Sequence, residues 1–306
     1  MAKTDVVKGI LANYESDNPG SKANIARILM QGRLGGTGRV LILPVDQGFE
    51  HGPARSFAGN PPAYDPHYLY QLAIDAGLSA LAAPLGLLET GADTFAGDIP
   101  LILKANSSNS LATEKDQAIT ATVDDALRLG CAAVGYTIYP GSEHQFEMME
   151  EVRAAAHEAR AKGLAVVVWS YPRGGILSKE GETAVDVVGY GAHMAALLGA
   201  HIIKVKIPTD HLEQPEAKAA YEAANVDIST ATARIRHMVQ CAFDGKRLMI
   251  FSGGAEKDLD TLYGEIRAVR DGGGNGSIIG RNSFERPRDE ALAMLDQIIR
   301  IYLDQD

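Results

Sequence analysis

The sequence predicts an α/β fold, a single-domain (β/α)8 TIM barrel, and three observations carry that expectation. Short apolar runs rich in Val, Ile and Leu recur along the chain, mostly continuous rather than alternating, as in parallel strands covered on both faces. Longer stretches with helical spacing separate them. Eight such units fit between residues 40 and 303, the number that closes this barrel.

Strands are expected at 40–46 (VLILPVD), 79–84 (SALAAP), 100–105 (PLILKA), 132–138 (AAVGYTI) and 164–170 (LAVVVWS). Three more follow at 201–207 (HIIKVKI), 247–252 (RLMIFS) and 276–281 (GSIIGR). A helix starts at Asp65-Pro66, a cap followed by a first-turn proline, and ends near Gly77. Others are expected over 114–129, 143–162, 183–198, 214–243, 257–271 and 287–303, while 85–99 is short and Gly-containing. An open doubly wound sheet would need a glycine fingerprint after the first strand, which ends instead in Pro44-Val45-Asp46. The Gly35-Gly36-Thr37-Gly38 run precedes that strand and reads as a turn. The expected organisation is an N-terminal extension, 1–38, packing on one barrel domain, 39–306.

Composition narrows the function. With 46% hydrophobic and 22% charged residues the chain can build a well-buried core. A net charge of −10 argues against a nucleic-acid partner, although a local Lys/Arg cluster can still hold an anion. Cys131 and Cys241 make no metal-spaced cluster and lie in apolar-leaning segments, so both read as structural thiols. The N-terminal stretch lacks a long apolar core and cleavage site, and no run is long enough to span a bilayer. A soluble cytoplasmic protein with no membrane partner is expected.

In this fold the chemistry sits at the C-terminal strand ends and the loops beyond them. That places Asp46, Gln47, Gly48, Glu50 and His51 after the first strand, and Lys104 and Asn106 at the third. Tyr136 and Tyr139 follow on the fourth, then Trp169, Ser170 and Tyr171, then Lys204 and Lys206. Ser252-Gly253-Gly254 and Gly280-Arg281-Asn282 close the seventh and eighth.

Alternation puts Lys204 and Lys206 on one face of their strand. A lysine inside a barrel strand is costly unless paired, neutralised or used. Desolvation and a second ammonium lower its pKa and free a lone pair for attack on a carbonyl. The structural alternative is a salt bridge to a carboxylate such as Asp46, and spacing does not say which lysine is the nucleophile. The terminal glycine loops, with Arg281 as a charged clamp, suit a phosphate. The histidines show no H-x-H or H-E-x-x-H spacing, so no metal site is expected, and His51 and His201 read as structural. Glu143, Glu147, Glu150 and Glu151 read as a solvated helix face, and Tyr302 as packing in the last helix.

Several segments together resemble the bacterial and archaeal type of class I fructose-bisphosphate aldolase. They are LPVDQGFEHGP (43–53), AAPLG (82–86), LILKANSS (101–108), VGYTIYPGS (134–142), VVWSYPRGG (167–175), KVK (204–206), SGG (252–254) and GRN (280–282). The likeness runs in order from about residue 40 to 290; VDQGFEHGP and WSYPRGG are specific together, K-x-K alone is weak. It implies a metal-free lyase without cofactor, with the imine on Lys204 and Tyr171 as acid/base. It further implies roles for Asp46 and Lys104, with Trp169 lining the site. The phosphate would be gripped by the backbone of Gly253, Gly254, Gly280 and Arg281, with Ser252 also at the substrate; which residue holds the far phosphate stays open, with Arg173 and Arg55 as candidates. It also implies a homo-oligomer, to which apolar residues of 214–243 would contribute. Two alternatives stay open: a relative acting on another phosphorylated ketose, and a non-catalytic sugar-phosphate-binding barrel.

Overall fold

All eight apolar runs form strands, and the strands close on one another. The computed structural model describes residues 2–253 and 257–306. The barrel strands are β1 (Val40–Pro44), β2 (Ala80–Pro84), β3 (Leu101–Lys104), β4 (Ala133–Ile138), β5 (Ala165–Ser170), β6 (Ile202–Lys206), β7 (Leu248–Ser252) and β8 (Gly276–Ile278). They pair in parallel in chain order, and β8 returns to β1. Burial on both faces explains why the runs are continuous rather than alternating.

Alternation sorts each strand into two cores. Leu41, Leu43, Leu81, Leu103, Val134 and Val166 face outward into the layer beneath the helices. Val40, Ile42, Ala80, Ala82, Ile102, Ala133, Ala165, Val167, Ile202, Leu248 and Ile250 fill the inside of the barrel. Following the same faces upward puts Lys104, Gly135, Trp169 and Lys204 in the inner layer nearest the mouth. Gly135 is where that layer is tightest: a Cβ there would lie 2.0 Å from the Trp169 ring.

The bottom is plugged by the N-terminal segment. Helices α1 (Asp5–Ala12, capped by Thr4) and α2 (Pro19–Met30, capped by Asn18) contribute Val7, Leu11, Ile25, Ile28 and Leu29 to the inner core, with Tyr14 between them. Tyr14 donates to the His201 carbonyl at 2.8 Å. Asp17 accepts from Arg160 Nε at 2.8 Å and lies 2.8 Å from His201 Nε2. The Val166 N–H donates to His201 Nδ1, so the Nε2 nitrogen carries the proton that Asp17 receives. His201 is therefore a structural residue at this end.

Two expected helices differ from the sequence reading. The 114–129 segment holds only the helix Val123–Arg128, because Thr122 and Asp125 form a reciprocal cap that fixes its start. Before it, Asn106–Ser107 and Ala118–Ile119 pair as a small antiparallel ribbon. The 214–243 segment breaks into Pro215–Ala224 and Ala231–Cys241. Asn225 ends the first in the left-handed region (φ 50°), and Thr230 caps the second. The large exposed apolar side chains among the described residues avoid 214–243; Phe146, Ile176, Tyr190 and Leu197 are prominent among them. Tyr302 packs fully buried against Ser277, and 143–151 exposes its glutamates. Burial raises both thiols, Cys131 to about 12 and the half-buried Cys241 to about 11. Among the described residues, no helix is long and apolar enough to cross a membrane.

Candidate active site

A polar cavity of about 100 Å³ opens at the C-terminal end of the barrel. It gathers Asp46, Gln47, Glu50 and His51 from beyond β1, Tyr171 and Arg173 from beyond β5, and Lys204 and Lys206 from β6. Ser252, Gly253, Gly280 and Arg281 complete the far side. Trp169 and Lys104 do not line it. They lie behind the wall, Trp169 beside Lys204 in the β5–β6 register.

Lys204 is almost fully buried, and its Nζ sits 5.2 Å from the Tyr171 ring centre and 5.7 Å from that of Trp169. Among the described residues it makes no ion pair at 4 Å or less, so the salt-bridge alternative does not describe it. Burial pushes its pKa from 10.5 down to about 8; Asp46 and Glu50 oppose this, Arg281 and Arg173 add to it. The repelling cations are thus chiefly arginines rather than the neighbouring lysine expected from sequence. Lys206 is less buried and also lowered, by burial and Arg173.

Lys104 is fully enclosed, 5.7 Å from the Trp169 ring centre, and donates to the Asn106 side-chain oxygen at 3.0 Å and to the Asn106 carbonyl. Asn106 is itself locked to the Thr137 backbone by two hydrogen bonds. Burial lowers Lys104 to about 8, against the pull of Asp46 and Glu50. Tyr171 holds its proton far more tightly than a free phenol. Burial is the main cause, and Glu50 and Asp46 add to it. Arg173 stacks over both Tyr139, at 4.9 Å, and Tyr171, at 5.6 Å.

The cavity is polar yet incompletely satisfied. Asp46 Oδ1 and Gln47 Oε1 are buried acceptors without a hydrogen-bond partner among the described residues. Such groups are costly unless a ligand or water reaches them. Opposite, Gly280 has no room for a side chain, since a Cβ there would lie 2.8 Å from the Pro44 carbonyl oxygen. Gly253 and Arg281 flank the same corner, which suits an anion. Gly254 lies outside the described residues. Arg173 faces the cavity, whereas Arg55 is exposed and does not line it.

Sequence reasoning put Asp46 here but gave Gln47, Glu50 and His51 no role. The helix α3 (Gln47–His51) begins directly after Asp46, so the pairs 46/50 and 47/51 lie four apart and each pair shares a helix face. That spacing was the available signal. Among the described residues, no group of three or more His, Cys, Asp or Glu is placed to hold a metal ion.

A desolvated lysine with a lowered pKa, next to a tyrosine and opposite an anion corner in a parallel barrel, defines a Schiff-base type of site. Comparison with known proteins agrees: the DeoC/LacD family aldolase pattern matches residues 40–286. The chain belongs to this family of aldolases. It is 37% identical to a probable class 1 fructose-bisphosphate aldolase of Chlamydia trachomatis, over 98% of this chain and 89% of that one. It is 31% identical to a fructose-bisphosphate aldolase/6-deoxy-5-ketofructose 1-phosphate synthase of Methanocaldococcus jannaschii, over 88% and 83%. An archaeal fructose-1,6-bisphosphate aldolase, solved with its catalytic lysine covalently bound to the carbinolamine intermediate, superposes with a TM-score of 0.75. It shares 32% identity, covering 91% of this chain and 98% of that one.

Proposed function

We propose that the chain cleaves fructose 1,6-bisphosphate reversibly to dihydroxyacetone phosphate and glyceraldehyde 3-phosphate, with Lys204 as the imine-forming residue. The observation that carries the assignment is the buried Lys204 amine, lowered to about 8 and turned toward Tyr171. Neutral Lys204 adds to the C2 ketone, and loss of water gives a protonated imine, an electron sink for the C3–C4 bond. Tyr171 moves the C4 hydroxyl proton and later protonates the enamine carbon. Asp46 assists proton transfer at the carbinolamine, and its unpartnered oxygen suits that task. Lys104, behind Trp169, adds positive potential near Asp46. Ser252 and the backbone at Gly253, Gly254, Gly280 and Arg281 take the near phosphate, and Arg173 the far one. Hydrolysis of the ketone-side imine frees dihydroxyacetone phosphate.

This reading places the protein in the cytoplasm, in glycolysis or gluconeogenesis, as a barrel (39–306) with an N-terminal extension (1–38). It also makes the protein a homo-oligomer; the exposed Phe146, Ile176, Tyr190 and Leu197 support a covered face. The Methanocaldococcus relative favours one second reading, transfer chemistry on another phosphorylated ketose through the same lysine. Coupled assays with fructose 1,6-bisphosphate, with and without EDTA, test the assignment. Cleavage unaffected by EDTA is expected. Loss of cleavage with EDTA, or turnover of only the alternative ketose, would overturn it.

A further inference from the structure

Glu50 lines the reaction cavity and has no part in the chemistry so far. It projects from α3 on the same side as Asp46, one helical turn on. It also lines a second polar cavity of about 240 Å³ with Ser108, Asn109, Lys115, Tyr139 and Arg173, so its carboxylate sits in the wall between the two. The side chain keeps 26% exposure, enough to exchange protons with solvent.

Charged and titratable groups meet Glu50 from every side. Asp46 and His51 come from its own helix, with His51 Nε2 3.8 Å from the carboxylate. Lys104 comes from β3, Tyr139 from beyond β4, Tyr171 and Arg173 from the end of β5, and Lys204 from β6. Glu114 and Lys115 stand at the side cavity. Burial, then Asp46, raises the carboxyl well above the ordinary range, toward neutrality, while Lys104, Lys204 and Arg173 pull the other way.

Tyr171 makes such a group necessary. As a neutral buried phenol it can accept the C4 hydroxyl proton only while releasing its own. Asp46 serves the carbinolamine at Lys204. Among the described residues Glu50 is the other carboxylate lining the cavity, and apart from burial its charge acts on Tyr171 more strongly than any other of them.

We propose that Glu50 is the proton partner of Tyr171, a deepening of the Schiff-base reading on which it rests. The C4 O–H proton passes to the Tyr171 oxygen as the phenol proton passes to the Glu50 carboxylate. Both residues line the cavity, which has room for a water. The C3–C4 electron pair flows into the imine, giving the enamine and the free aldehyde. The carboxyl proton then returns through Tyr171 to C3 of the enamine. One proton leaves the substrate and one returns, so the cycle balances without an outside acid. Glu50 acts through Tyr171 and does not touch the substrate.

The test compares the full-length wild type with Glu50→Gln and Glu50→Asp. It follows kcat for cleavage from about pH 6 to pH 9, solvent deuterium exchange at C3 of dihydroxyacetone phosphate, and borohydride trapping of that ketone. Wild-type kcat should fall toward acid as the carboxylate protonates near neutral pH. Glu50→Gln should lose ~10²-fold in cleavage and exchange, keep only the acid limb that its trapping rate also shows through Lys204, and still trap the ketone at the wild-type level. Glu50→Asp should recover the limb and part of the rate. A loss below tenfold, an acid limb in Glu50→Gln beyond that of its trapping rate, or parallel loss of trapping would overturn the proposal for Glu50. Failure of the wild type itself to trap would instead overturn the Schiff-base reading.

Discussion

The lowered pKa of Lys204 gives a quantitative expectation for imine formation. Only the neutral amine attacks a carbonyl. With a pKa of about 8, roughly a tenth of Lys204 is neutral at pH 7; for an ordinary lysine at 10.5 the fraction is about 3 in 10⁴. The site therefore offers ~300-fold more nucleophile at that pH. The assay is the initial rate at which limiting dihydroxyacetone phosphate is trapped by cyanoborohydride at a series of pH values. The rate should rise about tenfold per unit and flatten near pH 8. A rate still rising tenfold per unit above pH 10 would mean an ordinary lysine, and would refute desolvation as the source of its reactivity.

Other outcomes follow from the same geometry. Tyr171→Phe keeps the ring against Lys204 but removes the proton, so turnover should drop by ~10²–10⁴ with ketone trapping retained; near-normal turnover would take the phenol out of the chemistry. Gly135→Ala drives a Cβ to 2.0 Å from Trp169, so a stability loss of about 1–3 kcal/mol and weakened trapping are expected from denaturant melts and adduct yields. Unchanged values for both would mean the indole is not held there. At the barrel bottom, burial alone would raise the Asp17 carboxyl, but hydrogen bonds from His201 and Arg160, with the charge of Arg160, hold it down to about 2. A depressed carboxylate stabilises the fold above its unfolded value of 3.8, and that contribution disappears as pH falls through about 2. Asp17→Asn should therefore cost about 2 kcal/mol at neutral pH, and the difference from wild type should close by pH 2 in urea melts.

How far the sequence disclosed this molecule depends on where the information lay. All eight strands were legible to within about three residues, because burial on both faces leaves continuous Val/Ile/Leu runs that helices rarely share. The break at Asn225 was not read, since Pro215–Ala224 buries no residue and carries no strong apolar stripe. Asn225, the Asp227–Ser229 turn and the Thr230 cap were its available signals. The Thr122/Asp125 cap likewise marked a helix start inside 114–129. At the site, Lys204, Tyr171, Asp46, Gly253, Gly280 and Arg281 converge on one cavity because strand ends alone fix their height. The position of Trp169 behind the wall depends on the space left by Gly135, a side-chain packing matter that strand periodicity does not encode. The choice of Lys204 over Lys206 came from family likeness, and its deeper burial now gives a physical reason for it.

The central claim is that the imine forms on Lys204. Borohydride reduction with dihydroxyacetone phosphate, followed by peptide mass mapping, tests it most directly. The adduct should lie on Lys204, vanish in Lys204→Met and persist in Lys206→Met. An adduct on Lys206, or none at all, would contradict the account.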